Sequence, residues 1–306
     1  MKIQYNVAVG KFTWLNAKIY INGGGKIKAL YLPENEKELK DIIVNLKAEG
    51  YSILVFGHTS NCYFLPSFNA DVVVCTRLLS QYQIFEDRVV GQPGASIKKI
   101  ARELTYNGIK GYSGMIDLPG TIAAAVVNNA GCYGCETKDI VESVRVVTTD
   151  GSIQILKSKD LGFQRRSSIF KRKEFDGTIL SVTLKKEVGE KKQLIEHAEQ
   201  CQLERKTTQP TPSNNLGSCF MSGRKDIRLR IMERIVRACG SIFCLNRAQK
   251  FRLLLWLLGQ KKMIPYLYDF NRFMFIDKNA HVMFNEYVSF YRKFYKDAKL
   301  EIEIFK

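Results

Sequence analysis

The sequence has no long hydrophobic run. Its longest apolar stretch, Phe251–Leu258, is interrupted by Arg252 and is far shorter than the roughly 18 to 20 residues that a membrane-spanning helix needs. The first residues, MKIQYNVAVGKF, contain no long apolar segment, so we expect no secretory signal and a cytoplasmic location. The 306 residues, of which 45% are hydrophobic, are typical of a globular chain with two or three packed subdomains.

Histidine is scarce, and cysteine shows no metal-binding pattern. The three histidines, His58, His197 and His281, almost exclude a multi-histidine metal site. The eight cysteines are scattered, and only Cys132 and Cys135 form a CxxC pair. Since no second CxxC or neighbouring histidine completes a ligand set, we predict no metal and small buried free thiols rather than a redox dithiol.

Acidic residues are too few to balance the basic ones. The chain has 47 Lys and Arg against 30 Asp and Glu, a formal net charge of +17. The excess is concentrated in Gly223–Lys262, where Asp226 and Glu233 are the only acidic residues. Such an excess suits nucleic acid, an anionic membrane surface or anionic small ligands.

Hydrophobic periodicity and turn residues predict alternating strands and helices, then a basic helical segment. The predicted elements are a βαβ unit with its N-cap at Asn35, its helix ending at Gly50 and its second strand at Ile53–Phe56, a strand at Val72–Cys75, a helix at Ile97–Asn107, a hairpin turning at Asp150-Gly151, a strand at Thr178–Leu184, a helix at Lys191–Lys206, helical structure over Ile227–Lys262, a strand at Arg272–Ile276, a helix at Tyr287–Tyr295 and a strand over Leu300–Phe305. The linker TTQPTPSNN separates the basic part from the rest. We predict subdomains over residues 1–78 and 79–207 and a further domain over 208–306.

Two stretches suggest a binding surface for a nucleotide with a flat ring. The stretch LPGTIAAAVVNNAGCYG, Leu118–Gly134, has small residues that leave the backbone bare and two asparagine amides that could bond a ring edge; the alternative is a helix packed tightly on a sheet. GHTSN, Gly57–Asn61, follows a strand, where successive N–H groups can cradle a pyrophosphate. It is not GxGxxG, and the alternative is a simple polar turn.

Three further groups could carry chemistry. Arg165 and Arg166 stand beside Ser167 and Ser168, and arginine pairs bidentately with carboxylates and phosphates. Ser218 follows a glycine and could donate a proton. Glu301 and Glu303 alternate with apolar residues, which places both on one face of a strand. Each group also suits an ordinary surface.

The order of these motifs resembles the UDP-N-acetylenolpyruvoylglucosamine reductase family. Its G-x-G-S-N loop corresponds to GHTSN, and its P-G-T and N-A-G-A-Y-G motifs correspond to parts of Leu118–Gly134. Its R-x-S, Q-P, S-x-G-S-x-F and E-V motifs correspond to Arg166 with Ser168, to Gln209-Pro210, to Ser218 with its neighbours, and to Glu303-Ile304. The resemblance implies an α+β fold, in which a two-subdomain PCMH-type FAD-binding fold precedes a smaller α/β substrate-binding domain.

The resemblance also implies site residues and a reaction. FAD would contact Gly57, His58, Thr59, Ser60, Asn61, Leu118, Pro119, Gly120, Thr121, Ala125, Asn129, Ala130, Gly131, Tyr133 and Gly134. A UDP-sugar would contact Arg165, Ser168, Gln209 and Gly217. NADPH would reduce FAD, and hydride would pass to the enolpyruvyl group of UDP-N-acetylglucosamine enolpyruvate. Ser218 would protonate the adjacent carbon, Arg166 would pair with the carboxylate, and Glu303, rather than Glu301, would help to hold the intermediate.

The chain departs from the family pattern at several positions. Thr59, Ala123, Ala124 and Asp117 replace glycines, Arg165 replaces a tyrosine, and the segment from Gly223 to Lys262 is newly basic and helical. A paralogue that acts on another nucleotide sugar therefore stays open, as does a membrane-surface protein on a flavin scaffold. Because FAD, NADPH and UDP-sugars are anions, we expect no nucleic-acid partner, although a weak membrane association of the basic segment is compatible with the charge. His58 raises the further alternative of covalently attached FAD, as in some relatives of the wider flavin superfamily.

Overall fold

A computed structural model describes residues 2–8, 25–210, 215–221, 223–276 and 279–306. The strands are β1 Lys2–Ala8, β2 Lys26–Leu32, β3 Ile53–Phe56, β4 Cys62–Phe64, β5 Asn69–Cys75, β6 Tyr82–Ile84, β7 Arg88–Gly91, β8 Gly131–Cys132, β9 Cys135–Glu136, β10 Val141–Thr148, β11 Ile153–Lys157, β12 Gly177–Lys185, β13 Arg224–Lys225, β14 Leu267–Asp269, β15 Arg272–Phe273, β16 Tyr295–Lys296 and β17 Glu303–Phe305. The α-helices are α1 Glu36–Ala48, α2 Ile97–Tyr106, α3 Ile122–Asn128, α4 Thr137–Ile140, α5 Lys191–Thr208, α6 Ile227–Ile242, α7 Arg247–Leu257 and α8 Ala280–Phe294. No helix in these ranges is both long enough and apolar enough to cross a membrane.

The chain divides into two compact units. The first contains the N-terminal strand, Lys26–Ser60 and Asn69–Gln209, and the second includes Asn61–Phe68 and the chain from Pro210 onward. The chain therefore passes from the first unit to the second between Ser60 and Asn61 and again after Gln209. The division into domains at residues 78 and 207 stays a prediction.

The first unit contains two large sheets and the small hairpin β8-β9. One has the order β1-β2-β5-β3, with β2, β5 and β3 mutually parallel, and the other is the antiparallel sheet β11-β10-β12-β7-β6. Helix α1 begins at Asn35, whose side chain accepts a hydrogen bond from the N–H of Glu38 at 2.9 Å. Its buried residues Leu39, Ile42, Ile43 and Leu46 share a core with residues of β5, β10 and β12. The predicted βαβ unit, its N-cap and the Asp150-Gly151 hairpin are confirmed.

The second unit is built on a cluster of aromatic side chains. Phe220 stacks on Tyr291 with ring centroids 4.0 Å apart, and Tyr63 contacts Phe275 and Phe284. Its strands form three two-stranded pairs, β17-β4, β13-β16 and β14-β15. Because aromatic rings bury large areas in few residues, a small unit with short strands can still form a core.

Several predicted boundaries in the second unit were wrong. The helical segment predicted over 227–262 is two helices, α6 and α7, followed by a 3-10 turn at Lys261–Tyr266. The strand predicted over 272–276 ends at Phe273, and the closing strand covers only Glu303–Phe305. The helix predicted from Tyr287 begins at Ala280. Part of the predicted linker, residues 211–214, lies outside the described residues.

Candidate functional site

The predicted phosphate loop and the Pro119-Gly120 turn meet in the first unit. The loop Gly57–Ser60 follows β3, and a Cβ added at Gly57 would lie 2.3 Å from Oγ1 of Thr121. At Gly120, whose φ is +118°, an added Cβ would lie 3.2 Å from Oγ of Ser60. The two motifs, some sixty positions apart in the sequence, therefore touch where their glycines leave room.

In this contact region, several main-chain N–H groups have no acceptor among the described residues. Within the described part of the chain, the N–H groups of His58, Thr59, Ser60, Gly120 and Thr121 donate to no protein acceptor. Thr59 has φ +53°, the left-handed conformation for which a glycine would be favoured. Left-handed residues turn neighbouring N–H groups into a concave donor set that suits an anion such as a pyrophosphate.

His58 adds no positive charge to this loop at neutral pH. Burial lowers the pKa of His58, and the nearby cations Arg77 and Lys99 lower it further. The imidazole is therefore neutral at pH 7, and the loop would attract a phosphate through N–H dipoles rather than through a full charge on His58.

The small-residue stretch contains a short helix. Thr121 caps α3 by accepting a hydrogen bond from the N–H of Ala124 at 3.4 Å, and Ile122, Ala125 and Val126 are buried in the core of the first unit. The packed helix that was the alternative interpretation is thus present over Ile122–Asn128. Its Ala123 and Ala124 are half-buried.

The asparagine amides are used inside the protein. Asn129 is fully buried and has φ +41°; its Nδ2 donates to the carbonyl of Gln164 at 2.9 Å, and its Oδ1 accepts from the N–H of Lys138 at 3.0 Å. Asn128 Oδ1 accepts from Lys171 Nζ at 2.6 Å. In contrast to the sequence-based hypothesis, the Asn129 amide orients the loop and is not available to bond a ring edge.

The CxxC motif forms a tight hairpin. Tyr133 and Gly134 have φ +49° and +79° between the paired residues Cys132 and Cys135, which matches a type I′ turn. Both cysteines are free, and burial raises the pKa of Cys132 to about 11. Nowhere in the described ranges do three His, Cys, Asp or Glu side chains gather closely enough to hold a metal ion.

Arg166 lies beside this hairpin. It sits with Arg165 in a tight turn closed by mutual main-chain hydrogen bonds between Gln164 and Ser167, and its φ is +57°. Its guanidinium donates to the carbonyl of Gly131 at 2.7 Å and to that of Asn129 at 3.3 Å. A non-glycine residue held in the left-handed region is strained, and such strain is common at functional sites.

The neighbouring predicted substrate residues differ in exposure. Arg165 is exposed, so it is accessible to a ligand. Ser168 is fully buried, and its hydroxyl donates to the carbonyl of Val127 at 2.8 Å. Ser168 therefore fixes the arginine turn to the end of α3.

Sequence reasoning missed Arg205, which connects two of the motifs. From α5, its Nη1 donates to Oε1 of Gln209 at 3.2 Å, and its guanidinium lies 5.7 Å from the ring centre of Tyr133. Gln209 Nε2 in turn lies 3.5 Å from Tyr133 Oη. Arg205 stands in a charged helix among exposed residues, so no sequence signal separates it from solvated surface.

The second unit brings Asn61, Ser218 and the two glutamates into one backbone network. Asn61 Nδ2 donates to the carbonyl of Glu301 at 3.0 Å, and the carbonyl of Asn61 accepts from the N–H of Glu303 at 2.9 Å. The N–H of Glu301 donates to the carbonyl of Cys219, the residue after Ser218, at 2.8 Å. Ser218, Glu301 and Glu303 are all half-buried.

Asn271, a second residue that sequence reasoning missed, fixes the chain that follows Ser218. Its Oδ1 accepts from the N–H of Phe220 at 2.7 Å and its Nδ2 donates to the carbonyl of Phe220 at 2.8 Å. Its own carbonyl accepts from the N–H of Cys219 at 2.8 Å. The side-chain amide of Asn271 thus makes the two hydrogen bonds to the main chain of Phe220 that a neighbouring strand would otherwise make.

Ser218 and Glu303 lie in the second unit and Arg166 lies in the first. That these three side chains act on one substrate stays a prediction.

Comparison with known proteins agrees with this geometry. The FAD binding domain family matches residues 27–157, which include both the phosphate loop and the small-residue stretch. The UDP-N-acetylenolpyruvoylglucosamine reductase of Lactobacillus delbrueckii subsp. bulgaricus is 27% identical over 220 residues, which cover 72% of this chain and 71% of the relative. The enzyme of the same name from Clostridioides difficile is 30% identical over 198 residues, 64% of each chain.

A solved structure supports the same fold. The crystal structure of UDP-N-acetylenolpyruvylglucosamine reductase from Thermus caldophilus superposes with a TM-score of 0.68 at 19% identity, over 100% of this chain and 98% of that one. The chain is therefore similar in sequence to UDP-N-acetylenolpyruvoylglucosamine reductases, and it has the PCMH-type FAD-binding fold.

Proposed function

We propose that the protein is an FAD-dependent reductase that uses NADPH to convert UDP-N-acetylglucosamine enolpyruvate to UDP-N-acetylmuramate for peptidoglycan synthesis. The observation that carries the proposal is the network in the second unit, in which Asn61 and Cys219 tie the segments of Ser218 and Glu303 together. The names of the curated relatives support the same reaction. The activity belongs in the cytoplasm, where nucleotide sugars and NADPH are available.

The residues of the first unit fit FAD. The N–H groups of His58, Thr59 and Ser60 and of the Gly120-Thr121 turn would hold the pyrophosphate, since they have no protein acceptor in the described ranges. When bound, FAD supplies the hydride that the enolpyruvyl group receives. A larger side chain at Gly57 would fill the contact with Thr121, so this cradle depends on the glycine.

The chain's own polar groups supply the remaining chemistry. Ser218 follows Gly217, whose φ of +77° sets the start of the segment, and its hydroxyl would deliver a proton to the substrate carbon as general acid. Arg166 would pair with the substrate carboxylate once that group offers better acceptors than the main-chain carbonyls it now contacts. Glu303 would help to hold the reacting group through its carboxyl group.

The test separates reduction from proton transfer. Anaerobic NADPH should bleach the visible absorbance of the bound flavin, and one equivalent of the enolpyruvyl sugar should restore it. The variant Ser218→Ala should be reduced at the same rate but reoxidised about 10² to 10⁴ times more slowly. Ser289→Ala, on the exposed face of α8, is the matched control and should behave as the native protein.

Two results would overturn the proposal. Purified protein that takes up no FAD on titration would exclude the flavoenzyme. Reduced protein that is reoxidised by another nucleotide sugar but not by this enolpyruvyl sugar would assign it to a different substrate.

A further inference from the structure

Helix α6 exposes a row of large apolar side chains. Ile227, Ile231 and Ile235 are 63%, 49% and 47% exposed, and Ile242 and Phe243 at the end of the helix are 76% and 72% exposed. Residues four apart lie one above the other on a helix, so the isoleucines form one stripe. Over the length of α6 the stripe extends about 22 Å at 1.5 Å per residue.

The stripe takes no part in the core of the second unit. The core contacts of α6 come from Leu229, Val236 and the partly buried Met232, which pack with Leu254 of α7. At about 100° per residue, these positions lie roughly opposite the isoleucine stripe. A monomeric protein seldom places so much apolar surface in one continuous row without a partner.

Arginines border the stripe. Arg230, Arg234 and Arg237 lie along one side of it at helical spacing, Arg228 lies at the other side, and all four are exposed. Glu233, the one acidic residue within α6, forms an ion pair with Lys225 at 2.8 Å. An apolar stripe with a basic border is the pattern of a helix that lies in the interface of an anionic membrane.

The next helix continues the pattern. Arg247 and Arg252 of α7 are exposed, as are Trp256 and Leu257 at its end. Lys261 lies 4.9 Å from the ring centre of Trp256. Tryptophan with adjacent cations is enriched at the level of lipid headgroups.

We propose that this exposed face of α6, together with the end of α7, binds the surface of an anionic lipid bilayer. The charge selects anionic lipid, because each arginine or lysine near such a surface strengthens binding roughly fivefold. The stripe is straight and convex, as a single helix is, and so suits insertion into a flat interface. The inference is independent of the reductase activity, and the contact is reversible and peripheral.

The test is sedimentation of the FAD-loaded full chain with vesicles. The protein should bind vesicles of phosphatidylcholine with phosphatidylglycerol at low salt, bind pure phosphatidylcholine vesicles much more weakly, and be released as salt increases. Replacing Ile231 and Ile235 together by serine should weaken binding at least about tenfold. The matched control replaces Ile153 and Ile155 by serine, since both are exposed on β11 of the first unit, and should bind as the native protein.

A second pair of double variants tests the role of positive charge. Arg230→Gln with Arg234→Gln should weaken binding to anionic vesicles more than Lys157→Gln with Lys159→Gln, which removes the same charge from an exposed part of the first unit. Unchanged FAD uptake and thermal unfolding show that each variant is folded. Failure of the native protein to bind anionic vesicles, or binding that the isoleucine variants leave unchanged, would overturn the inference, as would tight binding to an acidic protein with none to vesicles.

Discussion

Gly57→Ala is the sharpest test of the proposed FAD cradle, the loop Gly57–Ser60 with the Gly120-Thr121 turn. The added methyl carbon would lie 2.3 Å from Oγ1 and 2.8 Å from Cγ2 of Thr121, whereas ordinary contacts lie at 3.4–4 Å. The loop or the threonine must therefore move by about 1 Å. Gly57 is not in the left-handed region, so the alanine meets only a steric obstacle. Thr121 cannot retreat easily, since its Oγ1 caps α3.

The cost follows from these contacts. Overpacking of this kind lowers the free energy of unfolding by about 1–3 kcal/mol. Loss of the helix cap at Thr121 would lower it by about 1 kcal/mol more. If half or more of the overpacking energy, about 0.5–3 kcal/mol, is lost from FAD binding, the affinity for FAD should drop roughly 2- to 150-fold. The measurement is fluorescence titration of apo-protein with FAD, alongside thermal unfolding.

A double variant decides whether the clash is the cause. Thr121→Ala removes the two closest atoms and leaves Cβ at 3.1 Å, so the combination with Gly57→Ala should recover part of the lost affinity. The control Gly134→Ala adds a methyl group where no atom lies within 4 Å, although its φ of +79° strains the turn. Native FAD affinity in Gly57→Ala, or losses that simply add in the double variant, would refute the reasoning.

Other regions give further predictions. Burial lowers the pKa of His58, so below about pH 6.5 the unfolded chain binds a proton that the folded chain does not. The melting temperature should therefore fall as the pH is lowered below about 6.5. The fall should be smaller in the variant His58→Gln. Iodoacetamide at mildly alkaline pH should modify the exposed Cys244 well before Cys132, whose pKa burial raises to about 11, and mass spectrometry of digests would show the order. Asn271→Ala should lower the free energy of unfolding by about 2–4 kcal/mol, since it leaves the buried N–H and carbonyl of Phe220 unpaired. The variant should also slow flavin reoxidation but not flavin reduction. Equal denaturation midpoints in the variant and the native protein would contradict this prediction.

The first unit was largely predictable because its elements are long and carry regular patterns. Helix α1 shows its buried residues at helical spacing, and β10 and β11 are joined by an Asp-Gly turn that specifies a hairpin. Local chemistry and tertiary packing favour the same structure in these segments, so periodicity alone is sufficient.

The second unit was predicted less well, because its order comes from packing between distant segments. Strand β17 pairs with β4, which lies more than two hundred residues earlier, and the apolar alternation over Leu300–Phe305 cannot show where that pairing begins. The aromatic cluster likewise joins Tyr63 to Phe284, and no local period marks such a contact.

The candidate site shows the same division. The motif residues of the first unit were identifiable from their types and order, yet the use of the Asn129 amide inside the protein depends on Gln164 and Lys138. Asn271 could not be identified, since its two hydrogen bonds to Phe220 span fifty-one positions. A sequence motif therefore indicates which residues gather, whereas the hydrogen bonds decide which of them remain available to a ligand.

The pentapeptide GHTSN has two separate roles because the chain changes units within it. Gly57–Ser60 belong to the first unit, where the N–H groups of His58, Thr59 and Ser60 have no acceptor among the described residues, whereas Asn61 belongs to the second unit. Asn61 bonds the carbonyl of Glu301 through its side chain and the N–H of Glu303 through its own carbonyl. An anion-binding loop needs only small residues and free N–H groups, so the asparagine at its end is explained by the second task, which is to set the register of the segment that carries Glu303. The peptide bond between Ser60 and Asn61 therefore joins the proposed cofactor loop to the residue that holds the main chain of Glu303, the proposed catalytic residue.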